Sequence, residues 1–332
     1  MTPVLFLLTA LALAPVELRG GATVDAPVES VSLAGVSVGG PAPRTISWRR
    51  VSAVTGPHAR DAEPYAEFAE DVWRALSRLD RADVHGALVL LPDLEDRCEN
   101  EIGPTPADVF TASCEAHQRA VDYPAALRAF FELSRLVDDP ADFPRHALDP
   151  VTGLSVTLAP FLTPEHARRA QPHLAPRASD TPRIARLRAS YAAAIAADPA
   201  LLPPGGSESP AELLLARLAR AQNADEQAVR ELRAWADDTD EPWRRAWASA
   251  AAARALLAST DPSEVRRGAL EFLSIPAFDA AESPYLAGLA LAESADALER
   301  LGETAPANAL RAELARLSPD HPALADTGDD AP

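Results

Sequence analysis

The sequence contains no lysine; all 31 of its basic residues are arginine. Schiff-base catalysis, pyridoxal phosphate attachment and a Walker-type phosphate loop all need a lysine amine, so each is excluded. Aromatic residues reach only 5%, too few for the stacking platforms of a carbohydrate groove. Basic residues are outnumbered, giving a formal net charge of −18. Such a surface repels phosphate backbones, so nucleic acid is not an expected partner. The sequence also lacks a Gly-x-Ser-x-Gly elbow, a His-Glu-x-x-His pair and a redox Cys-x-x-Cys.

Long hydrophobic runs are equally scarce. The clearest, from Val4 to Val16, carries no charge. It is shorter than the roughly 20 residues of a membrane-spanning helix and fits the core of an export signal. The small residues Gly20-Gly21-Ala22 offer a cut that releases a chain beginning near Thr23. Ala12-Leu13-Ala14 is a second small-x-small site, disfavoured by Pro15 directly after it. No arginine precedes the run, so an uncleaved membrane anchor or a buried N-terminal helix is the alternative. No cysteine lies near either cut, which excludes lipid modification there. Residues 1–22 are accordingly expected as a signal peptide. The mature protein is expected to be periplasmic or secreted, without an integral membrane span.

What the sequence has in quantity is alanine and proline. Apolar residues make up 47% of 332 positions, and there are 31 prolines. Alanine favours helix and lets helices approach closely. Many prolines follow a Ser, Thr or Asp, as in Thr105-Pro106, Thr163-Pro164, Thr181-Pro182, Ser209-Pro210, Asp261-Pro262 and Ser283-Pro284. A side-chain oxygen at the cap and proline in the first turn is a helix-start signature. In three of the six an acid follows, at Asp108, Glu212 and Glu264, as in a capping box.

The apolar spacing agrees. Tyr65, Phe68, Val72, Leu76 and Leu79 form one stripe at three- and four-residue intervals. Ile184, Leu187, Tyr191 and Ile195 form another, and Ala224, Ala228, Val229, Leu232, Trp235 and Ala236 a third. Each stripe is narrow and requires a packed neighbour. Residues 23–60 have period two instead, in Val31, Leu33, Val36, Val38, Ile46 and Trp48. With the turn Gly39-Gly40-Pro41-Ala42-Pro43 they predict a small β-hairpin region. Helical repeats are expected over 61–150 and 183–322. Residues 151–182 form an irregular connection and 323–332 a disordered acidic tail. The predicted fold class is all-α: stacked antiparallel helix pairs with a small N-terminal β-hairpin.

The segment Asp122-Tyr123-Pro124-Ala125-Ala126-Leu127-Arg128-Ala129-Phe130 resembles the turn and second helix of a tetratricopeptide repeat. Arg81-Ala82-Asp83-Val84-His85-Gly86-Ala87 is similar, and Leu301-Gly302-Glu303-Thr304-Ala305-Pro306-Ala307 gives the pattern again before Pro319. Ala87 and Ala126 lie 39 positions apart, longer than the family period of about 34. The resemblance implies an α-solenoid whose first helices present a ligand face: Thr111, Glu115, Gln118 and Arg119, and later Asp296, Glu299 and Arg300.

Cys98 and Cys114, the only cysteines, form a candidate disulfide for an oxidising compartment, with a buried thiol pair as the alternative. Cys114-Glu115-Ala116-His117 offers two ligands where zinc wants four. Asp237, Asp238, Asp240 and Glu241 read as an acidic helix junction, with Asp240 as the cap. No cofactor is expected. The functional expectation is a non-catalytic exported scaffold for an envelope protein or peptide. The alternative is an all-α hydrolase or lyase with its site near 150–182.

Overall fold

The computed structural model describes residues 16–136, 148–206 and 209–327. They fall into two compact units divided between Ala116 and His117. The division lies within a helix and not in the 151–182 connection. All but the last residue of the apolar run Val4–Val16 lies outside the described residues.

The first unit opens with strands β1 (Val16–Leu18), β2 (Thr23–Val24), β3 (Val28–Ser32), β4 (Gly35–Val38), β5 (Arg44–Ile46) and β6 (Val51–Val54). They build two antiparallel sheets, ordered β2-β1-β6 and β3-β4-β5. The expected hairpin is therefore half of a larger arrangement. Its tight turn lies at Leu33–Ala34, and the Gly39–Pro43 stretch links β4 to β5 instead. Val51–Val54 pairs with β1, setting Val16 opposite Val54, and leads on to the helices from residue 56.

That pairing bears on the N-terminus. Val16 is fully buried, and Gly20 and Gly21, both at positive φ, make the β1–β2 turn. Cleavage after Ala22 would remove the central strand of the first sheet. Any leader cut is therefore expected before Val16. Intact-mass measurement of protein recovered from its native compartment checks this, and a chain starting at Thr23 would contradict it.

Helices α1 (Ala59–Ala62), α2 (Ala66–Asp80), α3 (Val84–Cys98) and α4 (Pro104–Arg119) follow. On α2 the expected stripe is buried through Phe68, Val72, Leu76 and Leu79. Thr105 is not a cap, because α4 starts one residue earlier, at Pro104. Its hydroxyl donates to the Ala34 carbonyl at 2.8 Å and accepts from the Trp48 N–H at 3.0 Å. The side chain thus ties the helix to the strands.

The second unit contains the end of α4 and α5 (Tyr123–Leu136), α6 (Pro164–Leu174), α7 (Pro182–Ala196), α8 (Pro210–Gln222), α9 (Glu226–Asp237), α10 (Pro242–Leu257), α11 (Pro262–Phe278), α12 (Pro284–Arg300) and α13 (Thr304–Leu317). Thr163, Thr181, Ser209 and Asp261 cap their helices as expected. Ser283 makes no side-chain cap bond. At α10 the cap position is Glu241, not Asp240; its carboxylate accepts from the Trp243 indole at 3.0 Å.

Within each unit, helices adjacent in sequence pack on one another, among them α2 on α3, α8 on α9, and α10 through α13 in series. Small residues set the approach. A Cβ at Gly268 of α11 would lie 2.8 Å from Leu256 Cβ and 3.0 Å from the Ala253 carbonyl of α10.

One corner recurs. Ala82, Val121, Ala224 and Gly302 all take left-handed φ, between 59° and 81°. The next residue, Asp83, Asp122, Asp225 or Glu303, donates its N–H five residues back, at 2.8–3.1 Å. This is a Schellman closure, and its last residue stands just before the next helix. Asp83 and Asp225 also cap that helix. Each aspartate closes one helix and opens the following one. The β-branched Val121 is the strained member of the set.

Candidate functional site: an arginine-lined cavity

The residues expected to form a ligand face are mostly engaged within the protein. Thr111 is buried and Glu115 half-buried. The Gln118 amide oxygen accepts from Thr157 at 2.9 Å, and Arg119 is exposed at the end of α4. Asp296 and Glu299 both receive Arg311 of α13, at 2.8 and 2.5 Å. The guanidinium holds the Glu299 carboxyl below its ordinary range. Arg300 donates to the Leu257 carbonyl at 2.9 Å. The α12 charges thus serve seams with neighbouring helices.

Cys98 and Cys114 are both buried and stand as thiols, not joined to one another. Burial pushes the Cys98 thiol up to about 12, so it is not ionised near neutrality. His117 lies 3.9 Å from Asp122. No three His, Cys, Asp or Glu side chains among the described residues are grouped to hold a metal ion. In the segment where the enzyme alternative placed its site, Leu158 and Phe161 are fully buried. Asp149 accepts from Thr152 at 2.6 and 2.7 Å and faces Arg244 at 3.4 Å. Residues 158–163 of that connection are all buried in the second unit.

A different place has the geometry of a binding site. In the first unit, the β1–β2 turn, the residues after Trp48 and one stripe of α2 enclose a half-open cavity of about 360 Å³. The turn contributes Leu18, Arg19, Gly20 and Ala22, and Arg49 and Arg50 follow from the second segment. Trp73, Leu76, Ser77 and Asp80 come from α2, at the i, i+3, i+4, i+7 spacing that puts four side chains on one face.

Trp48 anchors the middle segment. It stacks on Tyr65 with ring centres 5.6 Å apart and donates its indole N–H to the Ser32 carbonyl at 2.8 Å. The backbone then binds across the cavity, with the Arg19 N–H on the Arg50 carbonyl at 2.7 Å. Three arginines line the cavity, in unequal circumstances. Arg19 pairs with Glu70 at 3.0 Å, donates to the Ala69 carbonyl at 3.3 Å and lies 4.7 Å over the Trp73 ring. Its Nε–H is buried without an acceptor. Arg49 faces Asp108 at 3.7 Å. Arg50 is exposed and makes no ion pair among the described residues.

A buried N–H without an acceptor carries a desolvation cost of about 1–3 kcal/mol. Arg50, exposed and outside any ion pair among the described residues, is the lining group open to an anion. Trp73, 37% exposed, supplies an apolar wall. The volume lies at the small end of ligand pockets, roughly 300–1,000 Å³. No known protein family, curated protein or solved structure matches this chain. The site therefore stands on its own geometry.

None of these arginines is a sequence-predicted site residue, and Arg19 falls inside the expected leader. The signals present were a Gly-Gly turn directly after Arg19 and the adjacent pair Arg49-Arg50. Only β1–β6 pairing brings the two together.

Proposed function

We propose that this chain is an exported, non-catalytic helical-repeat scaffold that binds a protein or peptide in the cell envelope. It receives an anionic group of that partner in the arginine-lined cavity. The observation carrying the reading is that Arg19, Arg49 and Arg50 line one cavity with a partly exposed tryptophan, Trp73. In a chain of net charge −18, most of the surface repels an acidic partner, so a recess lined by three arginines, one of them exposed, is where such a partner meets least repulsion. The recurrent Asp corner supports the repeat part of the proposal. It joins helices in short, closed steps, as tetratricopeptide-like arrays require. Export rests on the apolar run at the N-terminus, with a retained membrane anchor as the alternative form.

The test is a comparative pull-down from envelope extract using the intact chain and its Arg50→Glu variant. One partner should return repeatedly with the wild type and be lost with the variant, while circular dichroism of the two is the same. A partner retained equally by both, or none in repeated trials, would overturn the proposal.

A further inference from the structure

A 3-10 segment, Pro322–Thr327, packs on α6, α12 and α13 of the second unit. One ring fastens it. His321 is buried and fills a notch left by the missing side chain of Gly288 on α12. Its Nε2–H donates to the Tyr285 carbonyl at 3.0 Å, and its Nδ1 accepts the Ala323 N–H at 3.2 Å. We infer that this segment is an acid-released strap: it comes away from α6 and α12 when the His321 ring leaves its notch, while the helices stay folded. The inference is independent of the first unit's cavity.

Both ring nitrogens are committed in the neutral form. Protonation would turn Nδ1 into a donor set against the Ala323 N–H and place a cation in the notch. No carboxylate waits there to receive it, since His321 makes no ion pair among the described residues. From α12 the ring meets the neutral Tyr285 phenol, centred 5.0 Å away. From α6 it meets His166, itself buried, whose charge would repel it. On α13, Arg311 is taken by Asp296 and Glu299, and Glu313 by Arg316. Glu293 of α12 holds Arg254, and Asp320, next to the ring in the chain, is exposed. Burial lowers the His321 pKa, the Tyr285 hydrogen bond opposes that, and His166 lowers it further. A base depressed in the seated state holds the strap fully above its free value of about 6.5 and releases it as pH falls.

Release is local because the strap has little else to hold it. Pro322, Ala323 and Leu324 are half-buried and Ala325 is exposed. The Leu324 N–H bonds the His321 carbonyl, and the His321 N–H the Ser318 carbonyl; both bonds travel with the strap. Pro319 and Asp320, which join it to α13, are exposed. Beneath it, α12 packs on α11 and α13 and buries Leu286, Leu289 and Ala290 without the strap's help. A segment with so few buried contacts opens at a much smaller free-energy cost than the helices under it.

The experiment is hydrogen exchange of the full chain at pH 7.5 and 5.5, corrected for the intrinsic pH dependence of exchange. Protection over 319–327 should fall about tenfold at the lower pH, the most that one ring of ordinary pKa about 6.5 can give over that interval. Protection within α12 should stay the same. His321→Gln, which takes up no proton, should show equal strap protection at both pH values. Should that variant not fold, the ring resonance of His321 in the wild type decides, because it should titrate over the range in which the strap opens. Strap protection that does not change with pH would overturn the inference. So would α12 opening in step with the strap, a wild-type response in His321→Gln, or a ring that titrates while the strap stays closed.

Discussion

Glu132→Gln should destabilise the second unit by about 3–5 kcal/mol, the usual cost of removing one partner from a buried ion pair. Glu132 lies on α5 and is 7% exposed. It faces Arg177 at 2.5 Å, Arg135 at 3.3 Å and Arg188 at 3.5 Å. Arg188 on α7 is the critical member, with its side chain 1% exposed. It reaches Asp180 at 3.0 Å, the His173 carbonyl, and the Phe131 ring at 4.5 Å. Burial, rather than repulsion, is the first cause lowering the Arg188 pKa, and Asp180 opposes it. A neutral amide at 132 would leave Arg135, Arg177 and Arg188 without the carboxylate they share, with Asp180 still facing Arg188.

At roughly 2–4 °C per kcal/mol for a unit of this size, the melting temperature should fall by about 10 °C. Adding Arg177→Gln should recover part of the loss, because it removes a charge that no longer has its partner. Scanning calorimetry of the wild type and both variants measures it. A single variant melting within about 1 °C of wild type would show that α5 and α7 do not depend on this pair.

Acid should loosen the C-terminal end of the protein, beginning near pH 6.5. Among the described residues His321 is 3% exposed. Its Nδ1 accepts the Ala323 N–H at 3.2 Å, and its Nε2–H donates to the Tyr285 carbonyl at 3.0 Å. Those partners fix a neutral ring, since protonation would set an N–H against the Ala323 N–H. Burial lowers the pKa first, the Tyr285 hydrogen bond raises it, and His166 lowers it again. A base depressed in the folded state binds fewer protons there than when unfolded. Stability is therefore complete above the unfolded value and lost as pH falls below it, by up to about 1.4 kcal/mol per pH unit. His117 is shifted the same way, chiefly by burial, with Asp122 opposing. His173 is more exposed and should contribute less.

Gly288→Ala isolates the His321 share. A Cβ there would lie 2.5 Å from the ring Cδ2 and 2.7 Å from Nε2. The ring must leave, costing about 1–3 kcal/mol as for other overpacked sites. Once solvated, it no longer titrates in favour of the unfolded chain. Urea midpoints at pH 7.5 and 5.5 should therefore differ less for the variant than for the wild type. The same difference in both would remove His321 as a cause.

The C-terminal tail shows how far a local reading reaches. Acidic composition marks disorder from residue 323, yet a 3-10 segment runs over Pro322–Thr327. The His321 ring in its α12 recess holds that segment. No window of the tail contains the recess.

The sequence by itself determined the largely helical character and most helix starts. Those depend on bonds spanning two to five residues, such as Thr163 to the His166 N–H or Ser209 to the Glu212 N–H. The apolar stripes were equally local, because their period is set by the helix. Tertiary structure alone decided that Thr105 bonds Ala34, that Asp296 and Glu299 receive Arg311, and that Val16 pairs with Val54. These partners lie from 12 to 71 positions apart. Which acceptor a donor meets at such distances is settled by chain closure, not by the residues beside it. The cavity belongs to this second kind: Arg19 and Arg50 meet because two strands pair, and the Gly-Gly turn and the Arg49-Arg50 pair do not by themselves show which strand meets which.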